Sequence, residues 1–198
     1  MATVSIIYFS GFGHTAKLAE SVEKGTNSVE GTVTNLISID GKDIIEGKYH
    51  NEEVLKILDE SDAIIFGSPT YMGGVSSQFK AFADATVKAW GGQTWRNKLA
   101  AGFTVSGALS GDKLHTLQYF NHFAMQHGMI WISLGELPQQ ENGLNHVGSW
   151  MVAMAQALNA DASVTPNEDD KRTAEVLGRR VALFANQTKF VDREPVNS

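Results

Sequence analysis

The chain contains no cysteine, which removes disulfides, thiolate catalysis and cysteine-ligated iron–sulfur clusters, though it does not fix the compartment. It has no basic run: the 16 Lys and Arg are scattered, which argues against nucleic acid as a partner. It has no apolar stretch of membrane-spanning length, and Met1-Ala-Thr-Val-Ser shows neither a basic n-region nor a cleavage site. A soluble cytoplasmic protein without membrane insertion is expected. The six His are scattered with no helix-spaced pair, so no metal site is expected, and no Gly-x-Ser-x-Gly elbow marks a hydrolase. Net charge is −6, too mild to name a partner.

What is present is ordinary globular composition, 42% hydrophobic and 19% charged over 198 residues. That suits one α/β domain over residues 1–198 with a full-sized core. Thr3 to Phe9 is a nearly continuous apolar run rich in β-branched residues, the pattern of a parallel strand buried on both faces. Asp62 to Gly67, Leu99 to Val105 and Met129 to Leu134 repeat it, and Thr32 to Ser38 is a further strand. Helices are expected between them. The stripes are Leu18, Ala19 and Val22; Val54, Leu55 and Leu58 behind an Asn51 cap; Phe79, Phe82, Ala83 and Thr86; and Leu114, Leu117, Phe120 and Ala124. A last helix starts near Asn167 with Ala174, Leu177, Val181 and Phe184 inward. Residues 135–165 carry no clear pattern beyond an apolar patch from Trp150 to Leu158, and that apolar content without a matching strand leads to the expectation that the stretch caps the active site or makes a subunit contact.

Strand and helix alternate five times, with no sequence repeat and no linker. The expected fold is therefore a doubly wound parallel sheet of five strands, order 2-1-3-4-5, with helices on both faces. Ligand binding is expected at the carboxyl ends of the strands.

Three loops leave strands at that edge. The first, Ser10-Gly-Phe-Gly-His-Thr15, opens a helix, so its N–H groups converge with the helix dipole on one anion. Gly11 and Gly13 permit the turn, Ser10 and Thr15 add hydroxyls, and His14 is expected to act through its backbone N–H. No cation lies within the loop, which suits a terminal phosphate monoester such as that of FMN. A dinucleotide fingerprint, Gly11-x-Gly13-x-x-Ala16, is the competing reading. It needs an acid closing the second strand, and the nearest, Asp40, lies beyond the strand end. A Gly-rich turn that binds nothing is the third. The second loop runs from Pro69 through Thr70, Tyr71 and Met72 to Gly73 and Gly74. It could offer backbone N–H groups to an isoalloxazine, with Tyr71 stacked on it or flanking it. The third runs from Thr104 through Val105, Ser106, Gly107 and Ala108 to Gly111, and Ser110 can cap the following helix. Donors there stabilise the charge of a reduced flavin. His127 before Gly128 reads equally as a helix end and as a flavin-edge residue. Trp90 and Trp95 either roof the pocket or pack.

With these loops the chain resembles the flavodoxin superfamily, in particular WrbA-type NAD(P)H:quinone oxidoreductases and NADPH-dependent FMN reductases. The matching stretches are Ile6-Ile-Tyr-Phe-Ser-Gly-Phe-Gly-His-Thr15, Ala63-Ile-Ile-Phe-Gly-Ser-Pro-Thr-Tyr71, Gln78-Phe-Lys-Ala-Phe-Ala-Asp84, Lys98-Leu-Ala and Gln126-His-Gly-Met129. The resemblance implies that Ser10 to Thr15 hold the FMN phosphate, and that Pro69 to Gly73 and Thr104 to Ala108 hold the ring. It places His127 beside the ring, Phe12 near the nicotinamide and Trp90 on the substrate side. It implies two-electron transfer from NAD(P)H to a quinone or similar acceptor through non-covalent FMN. The flavin N5 would be the reactive centre and no catalytic side chain would be needed. It also implies a homodimer or homotetramer. Tyr71-Met72 stands where many of these reductases have Arg-Phe, and the third loop is less Gly-rich than theirs. Two alternatives remain open: a one-electron carrier of the flavodoxin type, disfavoured by loop cations Lys80, Lys98 and Lys113, and a non-catalytic FMN-binding module.

Overall fold

A computed structural model describes residues 1–138 and 140–188; residues 189–198 of the expected domain lie outside it. The β-branched runs form the sheet. Strand β1 (Ala2–Tyr8) pairs in parallel with β2 (Thr32–Ser38) and β5 (Ala63–Tyr71), and β5 pairs with β7 (Leu99–Ser106). With β8 (Ile130–Trp131) the order is β2-β1-β5-β7-β8, the doubly wound arrangement the alternation implied. Every residue of β7 is buried, as is each residue of β5 before Tyr71, because helices cover both faces.

The fifth strand differs from the expected Met129–Leu134. Strand β8 pairs only with the start of β7, Leu99↔Ile130 and Ala100↔Trp131. The end of β7 is paired instead by β9 (Ala153–Gln156), in register from Phe103↔Ala153 to Ser106↔Gln156. Residues 132–138 and 140–152 loop out between the two pieces. The buried Asn145 side chain closes that excursion, donating to Glu136 O and Ser149 O and accepting from Ser149 N–H. Part of the apolar patch is thus the second half of a sheet strand. Trp150 within it is exposed rather than packed.

Between β2 and the helix α2 (Glu52–Glu60) stand a 3-10 turn (Gly41–Asp43) and a hairpin, β3 (Ile44–Ile45) with β4 (Lys48–Tyr49). Asn51 caps α2 by accepting Val54 N–H at 3.1 Å. Beyond β5 a short return strand β6 (Gly74–Val75) leads to α3 (Ser77–Ala85) and α4 (Val87–Gly91). The core between sheet, α3 and α5 (Lys113–Gln126) is aromatic. Phe66, Phe79, Phe120, Phe123 and Trp95 meet mostly edge to face, for example Phe79 and Phe120 at 4.9 Å. Trp95 is fully buried, its indole N–H donating to Asp59 Oδ1 at 2.7 Å, so it packs rather than roofing a pocket.

The other face holds α1 (His14–Asn27) against α6 (Glu168–Gln187). The two helices cross at glycines: a Cβ on Gly25 would overlap Glu175 O, and one on Gly178 would overlap Val22 O. Asn167 caps α6, accepting Asp170 N–H at 2.8 Å. Two stripe expectations are corrected. Leu114 is exposed and Lys113 is buried in its place, because position 113 lies one turn before Leu117 on the buried face, which also carries Thr116, Phe120, Phe123 and Ala124. Phe184 is partly exposed and lies under the Arg180 guanidinium.

Candidate functional site

The carboxyl ends of β1, β5, β7 and β9 carry four loops, and these enclose a cavity of about 500 Å³, ample for a mononucleotide-sized ligand. From the first loop Phe12, His14 and Thr15 line it, from the second Pro69, Thr70 and Tyr71, and from the third Val105, Ser106 and Gly107. The fourth wall is Ala157 with the run Asn159 to Ala162.

The first loop is preset for an anion. Ser10 Oγ accepts the N–H groups of Gly13 and Ala16 at 3.1 and 3.2 Å and so fixes the turn. Gly13 sits at φ 89, a left-handed conformation that costs a residue with a Cβ, and that Cβ would come within 2.9 Å of Ala162. The N–H groups of Gly11, Phe12, His14 and Thr15 have no protein acceptor among the described residues. They stand at the start of α1, where the first-turn N–H groups are free and the dipole favours a negative ligand. His14 also uses its ring: Nε2 donates to Ala160 O at 2.7 Å, tying the first loop to the fourth.

The second and third loops are locked by a buried hydroxyl chain. Thr104 Oγ1 donates to Ser68 O at 2.7 Å and bonds Thr70 Oγ1 at 2.9 Å, which bonds Thr116 Oγ1 at 2.8 Å. Thr104 is therefore beneath the cavity floor rather than in its lining. Tyr71 packs its hydroxyl over Gly11 and its ring edge-on to Phe12, with centroids 6.3 Å apart. Burial raises the Tyr71 phenol, so it stays protonated. Met72 and Gly73 form the tip of the β5–β6 hairpin, both at positive φ, and Met72 is fully exposed. Ala108 is exposed on the third loop, its carbonyl turned to Lys113.

The fourth wall is zipped to the third loop by the β9 pairing. Ala157 N–H donates to Ser106 O and Leu158 N–H to Gly107 O, at 2.9 and 3.2 Å. Asp161 faces the cavity, and the Ser163 hydroxyl, together with the Ser163 N–H that its carboxylate accepts, holds its pKa below the ordinary value.

Several expected assignments fall elsewhere. Trp90 and His127 line a separate cleft between α3, α4 and α5, with Thr86, Tyr119 and Phe123. His127 ends α5 near the amino-terminal edge of the sheet, since α5 runs antiparallel to β7. Its ring stacks on Trp95 at 4.3 Å, and its Nε2 lies 2.9 Å from Thr86 Oγ1. Thr86 spends its proton on Ala83 O, so His127 Nε2 is the donor in that pair. Ser110 does not cap α5: left-handed Gly111 and Asp112 intervene, and Asp112 offers no side-chain cap bond. Asp40 is an exposed turn cap for Lys42 N–H outside the cavity, which removes the ribose acid the dinucleotide reading needs. Lys98 and Lys113 are buried and so add nothing to the surface charge. Sequence reasoning expected the stretch 135–165 to cap the site or make a subunit contact, and residues 157 and 159–162 of it line the cavity; it missed which residues these are and the inward position of Lys113. The one signal for the wall was the apolar run at Val152 to Ala155, which names a strand but not its partner.

This architecture defines a flavodoxin-like α/β protein whose cavity lies at the switch point between β1 and β5. Residues 9–141 match the family described as NADPH-dependent FMN reductase, and the chain belongs to that family. That makes it an FMN-binding oxidoreductase in class. It is 37% identical over 193 residues to "Flavodoxin FldP" of Pseudomonas aeruginosa, covering 94% of this chain and 98% of that one. It is 26% identical over 205 residues to "NAD(P)H dehydrogenase (quinone)" of Methanosarcina acetivorans, again covering 94% and 98%. In structure it is similar to a WrbA-like flavodoxin from Agrobacterium tumefaciens, with TM-score 0.76, 40% identity and coverage of 96% of this chain and 100% of that one.

Proposed function

We propose that this chain binds one FMN non-covalently in the four-loop cavity and uses it to pass two electrons from NAD(P)H to a quinone or a similar small acceptor. The observation that carries the reading is the set of free N–H groups of Gly11, Phe12, His14 and Thr15 at the mouth of α1, opening into the cavity of about 500 Å³. The residues present fit the group. Those N–H groups and the Thr15 hydroxyl would hold the phosphate, and residues 69–71 and 105–107 the ring. Bound FMN would supply the redox chemistry through its N5 position.

The chain's own work is binding, orientation and exclusion of water. Ser10 holds the turn open by occupying the Gly13 and Ala16 donors, and the Thr70–Thr104–Thr116 chain keeps the second and third loops in register. His14 clasps the fourth wall shut. Phe12, 78% exposed beside Tyr71, is placed to meet a flat ring entering from solvent. Trp90 and His127 belong to the reaction only if a second copy of the chain presents its cleft to this cavity, which is the homo-oligomer the reading includes.

A second reading, a one-electron carrier, is favoured by the name of the 37% identical relative. Against it stands the character of the surface. The exposed large hydrophobic side chains on the cavity loops are Phe12, Tyr71, Met72, Leu109 and Leu158, an apolar collar with the two exposed acids Asp112 and Asp161 among it. The test is anaerobic stopped-flow mixing of the FMN-loaded chain with NADH and with NADPH. Rapid bleaching of the flavin bands, reversed by an added quinone, supports the oxidoreductase and names its donor. A flavin that bleaches with dithionite but not with either nucleotide supports the carrier. A reading of cytoplasmic location goes with this cofactor use. Among the described residues no helix is long and apolar enough to cross a membrane.

A further inference from the structure

The third loop is held from beneath by a buried ammonium. Lys113, the first residue of α5, is 1% exposed. Its Nζ donates to Ser106 Oγ at 2.8 Å, to Ala108 O at 2.9 Å and to Leu109 O at 2.7 Å, so each of its three protons ends on that loop. Lysine is almost never fully buried unless paired, and a first helical turn is where the macrodipole opposes a cation. Both penalties are accepted at this one position. The charged group that faces it is Asp170 of α6, itself 1% exposed. Asp170 accepts Gln156 N–H at 3.1 Å, and its other oxygen lies 3.5 Å from His146 Nδ1. Gln156 ends β9, from which the fourth wall continues, and its amide also donates to Gly107 O at 3.3 Å. The cation thus anchors one cavity loop and the carboxylate the start of another.

We propose that Lys113 is a positioning residue that sets the reduction potential of the flavin, its buried charge acting through residues 106–109 to favour the electron-rich ring. This rests on the FMN reading of the cavity. A neutral side chain of the same length would fill the space, but it would not draw the Ser106 hydroxyl and two carbonyls onto one point. Nor would it place a positive charge behind the loop that the ring contacts. Burial lowers the Lys113 pKa to about 8, with the charge of Asp170 working in the opposite direction, so the group is still largely protonated near neutrality.

The experiment compares the FMN-loaded full chain with Lys113→Met and Lys113→Arg by spectroelectrochemical titration, together with the affinity for oxidised FMN. Lys113→Met is expected to weaken binding of the reduced flavin, relative to the oxidised, by about tenfold, which for a two-electron couple is a fall of ~30 mV. Lys113→Arg, which keeps the charge, is expected to stay near the wild type. An unchanged potential in Lys113→Met, or equal shifts in both variants, overturns the proposal and leaves Lys113 a packing element. Should the variants fail to fold, the wild type decides alone. By linkage a tenfold effect raises the Lys113 pKa by about one unit when the ring is reduced, so reduction should take up an additional fraction of a proton, at most about one half per two electrons, between about pH 8 and 9. The other groups to be accounted for are Asp170 and Asp169 of α6, His146 of the excursion, and Asp112 and His115 beside Lys113 in sequence. A profile without that added uptake overturns the proposal. A wild-type chain that holds no FMN at all overturns the cavity reading itself, and is seen before any variant is made.

Discussion

At the residue scale the site depends on a few positions that tolerate no substitution. Gly13→Ala places a Cβ at φ 89 and against Ala162, so a loss of about 1–3 kcal/mol is expected. Thermal unfolding measures that loss, and FMN titration should show weaker binding because the turn presents the phosphate donors. His127 carries a different prediction. Burial drives its pKa down to about 4, so the folded chain keeps the ring neutral while the unfolded chain protonates near its ordinary value. The resulting stability is complete above about pH 6.5 and is lost as pH falls from there towards 4, by at most about 3 kcal/mol. Urea unfolding at mildly acidic and neutral pH should show this slope in the wild type and a shallower one in His127→Gln. The Gly-rich turn, the Ser10 and Thr15 hydroxyls and the second-loop aromatic could be read from the sequence, because each is a local signal next to a strand end. His127 was open to the same reading: a helix between two parallel strands runs back along the sheet, so its C-terminal histidine belongs at the amino edge, away from the loops, and the flavin-edge reading overlooked that.

At the scale of elements, pairing and helix contacts decide. The crossing of α1 and α6 relies on Gly25 and Gly178, where backbone meets backbone. Gly178→Ala raises helix propensity yet is expected to destabilise by about 1–3 kcal/mol, because the added methyl forces the helices apart. Denaturant titration gives the sign, and a stabilised variant would show that the helices separate freely. Helix stripes and caps at Asn51 and Asn167 were local enough to be anticipated. The division of the fifth strand was not. Ile130–Trp131 and Ala153–Gln156 are far apart in sequence and share one partner, and each is too short to declare itself. Lys113 escaped for a related reason: positions 113 and 114 both lie within a turn of Leu117, and polarity argues for the wrong one.

For the whole molecule, the cavity and the cleft at Trp90 and His127 are separate within one chain. If both serve one reaction, the chain must associate. Light scattering is expected to show a homodimer or homotetramer. Trp90→Ala, at a half-exposed surface position, should then lower the rate with NAD(P)H and acceptor while FMN affinity stays near the wild-type value. A monomer with full activity would remove the cleft from the mechanism and leave Phe12 and Tyr71 as the substrate-facing groups.

The sequence by itself determined the doubly wound sheet, its strand order and the three loops at its carboxyl edge. Those follow from periodicity and local turn chemistry, which act over a few residues. Only the tertiary structure decided which residues of 135–165 form the fourth wall, the split strand and the inward Lys113. Each depends on which distant segment fills a vacancy beside a strand or on which side chains of a helix turn to the core. Such choices are made by packing and hydrogen-bond satisfaction across the fold, and no short stretch of sequence contains them.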